Sequence, residues 1–389
     1  MELEQKSTKV QDTYYYLLIG LIVLACACSI FAQIPELNLG LRNLLNYFPW
    51  IIAVVYMVFY INYINLKHFK LLLLPAVILF MYVLGQIFGV RYDFASLRCI
   101  FVSSLVFCVG VVLGENISKK HFRFILKAIC VVTLFFALYL YVKVLGGGSI
   151  YTERDNGVIG KNSLSLIVTV PIVLMLYSTD VFPKLRWGFI PFLIFLVILI
   201  GSRTSMICAL GALVGKVFIG NRSKKEKIIY TIALLIVIYI FIVNESLYDR
   251  VINQIFLQGK ELNEENIDKI TSGRTKVQKS FPDVFKTVWF TGGKPYMFEN
   301  FYMDTLVKFG IFGAVPLFLF AFSPIYYFFK DKEKDLKEIR GLTVVLCVLM
   351  LVNGLAEEMP PFGPGVKCFV LWLVFGYYIG LRYRIKGER

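Results

Sequence analysis

The residues of this chain whose types suit chemistry are arginines, with a few carboxylates beside them, and they gather in its polar segments. Residues 244–300 are the one long polar stretch of the second half, and they contain Thr271-Ser272-Gly273-Arg274. Ser272 is placed to cap a helix, which puts Arg274 in the first turn. A helix N-terminus offers free N–H groups and a positive partial charge, a setting that suits phosphate. A cation there opposes the helix dipole, so its presence is easier to understand with an anion bound; the alternative is a solvated loop arginine. A second arginine, Arg203, ends the apolar run Ile198-Leu199-Ile200-Gly201-Ser202 and cannot readily reach water from so short a turn. Such a guanidinium is paired, functional, or stretched along its own stem towards water. Arg91 and Arg98 flank Asp93, and they either pair with it or bind a ligand. Arg154 lies in the glycine-rich segment 146–157, where a ligand role and a solvated role both stay open. Glu357 and Glu358 are adjacent carboxylates in the last polar turn, either solvated or paired with these arginines.

Apolar elements must hold these groups in place. Of 389 residues, 58% are hydrophobic and 17% charged, and the mean hydropathy is +0.70. A soluble domain of this size carries more charge, so the chain reads as an all-α polytopic membrane protein. A span needs about 20 apolar residues. About twelve segments read as spans: 14–34, 47–64, 71–90, 97–114, 124–145, 162–179, 187–201, 205–220, 228–243, 301–329, 341–356 and 367–381. The first is followed by no small-residue cleavage site, so it reads as a helix and not a removable signal. The seventh and eighth are short and meet at Gly201-Ser202-Arg203-Thr204, which leaves room for a re-entrant or broken segment. Three regions follow: a bundle over 1–243, a polar loop over 244–300, and closing spans with a tail over 301–389.

Charge orients the spans. With the N-terminus in the cytoplasm, the loops on that side hold 22 lysines and arginines. The short loops opposite hold seven: Arg42, Arg91, Arg98, Arg154, Lys161, Arg203 and Lys367. The bias alternates along the whole chain, which places both termini in the cytoplasm and residues 244–300 outside. The net charge of +15 therefore belongs to short clusters between spans and does not imply nucleic acid. The eight cysteines sit in or at the edge of apolar runs, as small core residues. His68 and His121 both fall in basic cytoplasmic loops, so the outer face has no histidine to act as a base. No repeat divides the chain into related halves, which weighs against a transporter built by duplication.

Within the loop, Leu247, Val251, Ile255 and Leu257 are spaced for an amphipathic surface helix. Val277, Phe281, Val284, Phe285 and Val288 recur at helical spacing, and Pro282 breaks that run into two short helices. Trp289 and Phe290 return the chain to the interface, where aromatic rings are favoured.

The ordered set of features resembles the O-antigen polymerase and ligase superfamily. The motifs are Ser202-Arg203-Thr204 at the outer end of a span, Ser272-Gly273-Arg274 in the loop, and Gly292-Gly293 before Glu299-Asn300-Phe301-Tyr302. Phe309-Gly310-Ile311-Phe312-Gly313 then opens the next span in that family's manner. The motif likeness covers roughly residues 195–330 and the topological likeness the whole chain. The ligase branch has a histidine just before the asparagine, where this chain has Glu299, so the polymerase branch is the nearer likeness.

The resemblance implies a GT-C-like scaffold in the bacterial cytoplasmic membrane, with the long loop periplasmic. It implies a glycan on undecaprenyl pyrophosphate as donor and a lipid-linked repeat unit as acceptor. The acceptor's hydroxyl attacks the anomeric carbon, and undecaprenyl pyrophosphate leaves. Charge grows on the leaving group, so fixed cations aimed at it lower the barrier. Arginine is the planar, permanently charged residue for phosphate oxygens. Arg203 and Arg274 are expected there as catalytic residues, supported by Arg154, Arg98 and Ser272. Glu299 is expected to deprotonate or orient the acceptor hydroxyl. Asn300 and Tyr302 either bind sugar hydroxyls or cap and anchor the next span. No metal motif stands in the outer loops and no cofactor is expected. Membrane lipid, a flippase and a chain-length regulator are the expected associates. The competing readings are a ligase to the lipid A core, a cell-wall polymerase, and a flippase for lipid-linked oligosaccharide.

Overall fold

The computed structural model describes residues 2–34, 36–60, 66–88, 92–146, 161–178, 180–218, 228, 231–232, 235–236, 239, 242–271, 273–293 and 298–387. Among these residues the secondary structure is helical throughout. The helices used below are α1 Glu2–Phe31, α2 Leu39–Tyr60, α3 Leu73–Phe88, α4 Phe94–Asn116 and α5 Lys119–Leu145. They continue with α6 Lys161–Tyr177, α7 Arg186–Ile200, α8 Arg203–Phe218, then α9 Glu264–Ile270, α10 Arg274–Lys279 and α11 Phe281–Lys286 in the loop. The last three are α12 Phe301–Lys330, α13 Lys337–Asn353 and α14 Val366–Lys386.

Six helices are long and apolar enough to cross a membrane: the Thr13–Phe31 part of α1, α2, α4, α5, α12, and the Lys367–Lys386 part of α14. Three shorter apolar helices accompany them, Phe69–Gly85, Lys161–Tyr177 and Arg186–Ile200. The eighth and eleventh expected spans correspond to α8 and α13, with 16 and 17 residues. At 1.5 Å per residue such helices reach roughly 25 Å, short of the ~30 Å hydrocarbon layer. Among the described residues, then, six of the twelve expected spans are full-length helices; half of the ninth, 228–243, lies outside them. For α6 the shortfall has a physical reason. Every residue from Leu164 to Tyr177 is buried, so protein, not lipid, sets its length. By contrast Phe59, Phe135 and Phe329 on α2, α5 and α12 are exposed, as an apolar surrounding allows.

The centre is the pair α4 and α14. Gly110 and Gly114 stand four apart on α4, and Gly376 and Gly380 four apart on α14. A Cβ on Gly110 would lie 2.5 Å from the Leu373 carbonyl oxygen, and one on Gly380 would lie 2.0 Å from that of Val111. Only hydrogen fits between these backbones, and such close approach is how helices associate where lipid removes the hydrophobic drive. Aromatic rings fill in around the pair: Phe122 stacks on Tyr377 at 3.6 Å and Trp372 on Phe320 at 4.4 Å.

Two sets of polar side-chain contacts join distant segments. One joins Arg123 to Asp180 and Glu338, Lys119 to the Asp335 carbonyl, and Arg382 and Lys386 to Asp331. The other joins Lys143 to Glu36, Asn162 to Glu357, Lys367 to Ser163, and Arg274 to Glu299. Helix α4 runs from one to the other, with Asp93 at its start and the Glu115 carbonyl at its end receiving Arg384. Its 23 residues span roughly 35 Å. The segments that the charge pattern assigns to opposite sides thus gather at opposite ends of the bundle.

Candidate functional site

The polar loop closes over one of these ends. Its first part is a helical turn, Glu245–Tyr248, running into a π-helix over Asp249–Phe256. The expected amphipathic helix is present in this form, with Val251 buried. Pro282 does divide the later run: α10 ends at Lys279 and α11 starts at Phe281. The cap differs from expectation. Gly273, at φ +81°, is the N-cap of α10 and offers no side chain, while Ser272 lies outside the described residues. Moreover α10 has only six residues, so little helix dipole can build behind Arg274. The guanidinium itself, not a helix N-terminus, is the group an anion would meet.

The loop's end is locked by two motifs seen separately in the sequence. Helix α12 breaks at Gly310, which has φ +60° and ψ −175°. Into this break fits the chain before Gly292. The Ile311 and Phe312 amides donate to the Trp289 and Phe290 carbonyls at 2.8 and 3.2 Å, and the Gly293 amide donates to that of Lys308 at 3.0 Å. A Cβ on Gly310 would lie 2.1 Å from the Phe290 oxygen, which is why this position needs glycine. The start of α12 is clamped to α13. Asn300 accepts from the Tyr302 and Met303 amides and donates to the Leu355 carbonyl at 3.1 Å, and the Tyr302 hydroxyl donates to the Leu351 carbonyl at 3.0 Å. Of the two roles open to Asn300 and Tyr302, capping and anchoring are the ones these contacts fill.

Between the loop and the bundle lies a cavity of 620 Å³. Five cations line it, Arg42, Arg98, Lys161, Arg274 and Lys367, with three carboxylates, Glu299, Glu357 and Glu358. Arg274 is central. Its Nε donates to Glu299, and its Nη2 stands 3.9 Å from Glu357. Glu357 also accepts from Asn162, whose own oxygen accepts from the Ser202 hydroxyl at 2.8 Å. A polar chain therefore runs from the Ser202-Arg203-Thr204 corner through α6 to the loop arginine.

Arg203 itself is not among the residues lining the cavity. Its Nη1 donates to the Phe256 carbonyl at 3.2 Å and to that of Ile270, which ties the corner between α7 and α8 to the loop. It remains near the site, because the charges of Arg203 and Arg274 both oppose that of Lys161. Like charges held together in this way are relieved by a bound anion.

Arg98 does not pair with Asp93. Asp93 caps α4 through the Ala95 and Ser96 amides and lies 3.3 Å from Lys308. Its ring of partners, with the Ser96 hydroxyl and Lys308 prominent, holds the carboxyl below its ordinary range against the opposing effect of burial. Arg98 instead lies 4.5 Å over the Tyr47 ring, and its buried Nε has no hydrogen-bond partner. Arg91 and Arg154 lie outside the described residues.

Three cavity cations, Arg42, Lys161 and Lys367, were not among the expected site residues. A signal for them was present in the charge pattern. Of the seven lysines and arginines on the side that such residues avoid, four line the cavity: Arg42, Arg98, Lys161 and Lys367. Lys308, buried in α12, was not among the expected site residues either. Its ammonium is 2.7 Å from Asp304, 3.3 Å from Asp93 and 3.8 Å from Glu358.

Against known proteins, the chain matches no family model and no curated protein. The chemistry of the site is therefore read from its own residues.

Proposed function

We propose that this protein is a membrane glycosyltransferase that polymerises polysaccharide of the O-antigen or capsule kind. It joins oligosaccharide repeat units carried on undecaprenyl pyrophosphate at the periplasmic face and releases undecaprenyl pyrophosphate. One observation carries the reading: five cations converge with three carboxylates on a single cavity at the loop-covered end of the bundle. Cations suit a pyrophosphate leaving group, and carboxylates suit sugar hydroxyls and the proton that must leave the acceptor.

In this reading Arg274 meets the leaving pyrophosphate, assisted by Arg98, Lys161, Lys367 and Arg42. Arg203 acts from the corner that it ties to the loop, and the clamp of Asn300 and Tyr302 on α13 keeps Glu299 facing Arg274. Ser272 and Arg154 stay as expected contributors from the adjoining chain. The prenyl tail lies among the apolar helices.

The test is extension of a purified undecaprenyl-pyrophosphate-linked repeat unit by the purified protein in lipid nanodiscs. The expected result is a ladder of longer lipid-linked glycans with release of undecaprenyl pyrophosphate. A unit that stays single overturns the polymerase reading. Transfer onto lipid A core in its place favours the ligase reading, and passage of intact units across the bilayer favours the flippase.

A further inference from the structure

Of the three carboxylates that line the cavity, two are occupied. Glu299 takes the Nε of Arg274, and Glu357 takes Asn162 while facing Arg274. Glu358 differs. It also lines a second, smaller cavity, with Ser96, Cys99, Asp304 and Met359, so it stands between two spaces. Its cation is Lys308, 3.8 Å from Oε2, but that ammonium lies closer to Asp304 and Asp93 and also donates to the Ser96 hydroxyl at 3.2 Å. One ammonium therefore faces three carboxylates, and Glu358 is the farthest from it. Its Oε2 is buried and makes no hydrogen bond.

We propose that Glu358 is the catalytic base of this cavity, taking the proton from the acceptor hydroxyl as that oxygen attacks the donor's anomeric carbon. This rests on the glycosyl-transfer reading above. In the step, the bond from the acceptor oxygen to the anomeric carbon forms. The bond from that carbon to the phosphate oxygen breaks, and its electron pair leaves on undecaprenyl pyrophosphate. The hydroxyl proton passes to the Glu358 carboxylate and is later released to water, so charge and atoms balance. Lys308 stands against Asp304 and Asp93 behind the base, and Arg274 with its neighbours meets the departing charge from the loop side.

The charged groups facing Glu358 are Lys308 and Asp304 from α12, Asp93 before α4, and its own neighbour Glu357. Burial away from water is the main influence and raises its carboxyl to about 7; Lys308 opposes the rise, and Asp304, Asp93 and Glu357 add to it. A base that exchanges its proton near neutral pH is matched to its task. Glu299 is exposed and bound to Arg274.

The experiment compares wild type, Glu358→Gln, Glu358→Asp and Glu299→Gln in the nanodisc extension assay from pH 5.5 to 8.5. Infrared difference spectra of the same proteins are recorded between pH 6 and 8. Wild-type kcat is expected to rise with pH through about 7. Glu358→Gln should lower kcat on the order of a hundredfold or more, flatten that limb, and leave KM for the repeat unit near its wild-type value. Glu358→Asp should keep a rising limb at reduced rate. Glu299→Gln should change KM and keep the limb. The carboxylic-acid band that disappears from pH 6 to 8 in wild type should be smaller in Glu358→Gln. Wild-type kcat and limb in Glu358→Gln, or an undiminished band in that variant, overturns Glu358 as base while polymerisation stands. A wild-type protein that extends no unit overturns the polymerase reading, and the base assignment falls with it.

Discussion

At Arg274 one guanidinium serves two carboxylates, with Nε on Glu299 and Nη2 towards Glu357. An ammonium cannot span both directions in one plane. Arg274→Ala is therefore expected to abolish polymer, and Arg274→Lys to restore little of it, while the detergent-purified protein keeps its elution profile and helical circular dichroism. Long-chain polymer from the alanine variant would remove this arginine from the reaction. Glu358 makes a second prediction, on stability alone. Its carboxyl, raised to about 7, holds a proton in the folded chain that the unfolded chain gives up at about 4.5. Its contribution is thus fully present below the unfolded value and lost as pH rises through about 7. From pH 6 to 8 the loss is about 1.4 kcal/mol. Asp93, shifted the other way, stays ionised across this window and adds nothing to the slope. Apparent Tm in detergent should fall from pH 6 to 8 in wild type and fall less steeply in Glu358→Gln; equal slopes would mean that Glu358 does not titrate there. The arginines were legible in the sequence because a charge between apolar runs stands out. Glu358 was legible only as one of two adjacent carboxylates, because its surroundings depend on Lys308 and Asp304 from α12.

At the scale of elements, local grammar was readable and long-range fitting was not. Pro282 announced the split between α10 and α11, and Gly201 the corner between α7 and α8, since each acts on its own backbone. The cap assigned to Ser272 belongs to Gly273, whose left-handed backbone starts α10 without a side chain. The glycine pairs of α4 and α14 have a helical spacing, yet only the packed helices disclose that they face each other. Gly380→Ala would push a methyl carbon to 2.0 Å from the Val111 oxygen, and the atoms it meets are backbone. Overpacking of this kind costs about 1–3 kcal/mol or more. The expected outcome is a large fall in the folded, monodisperse fraction on size-exclusion chromatography, whereas Gly188→Ala, with open space at its Cβ, should purify as wild type. Arg203 belongs to this scale as well. Its bonds to the Phe256 and Ile270 carbonyls fasten the loop, so Arg203→Ala should speed proteolytic cleavage within residues 257–271 as well as reduce polymer. Lost polymer with unchanged cleavage would assign Arg203 to the substrate and not to the tether.

For the whole molecule, the orientation of the bundle decides whether the proposed chemistry is possible. Lipid-linked repeat units of this kind are joined outside the cytoplasm, so the end bearing the cavity must face outward. The charge bias along the sequence points that way. The described ion pairs do not mix the two groups of residues at one end. Asp180, Asp331 and Glu338 meet Arg123, Arg382 and Lys386 at one end, while Glu36, Glu299 and Glu357 meet Lys143 and Arg274 at the other. Leu262 in the loop and Lys334 at the opposite end are both exposed, and every described cysteine is free, so single-cysteine variants can be made in a cysteine-free background. A maleimide that does not cross membranes should label Leu262→Cys in intact spheroplasts and Lys334→Cys only after permeabilisation. The reverse pattern would place the five cations of the cavity in the cytoplasm, where the same arginines would meet nucleotide-linked sugars in place of an exported lipid-linked chain, and polymerisation at the outer face would be excluded whatever the mutants did.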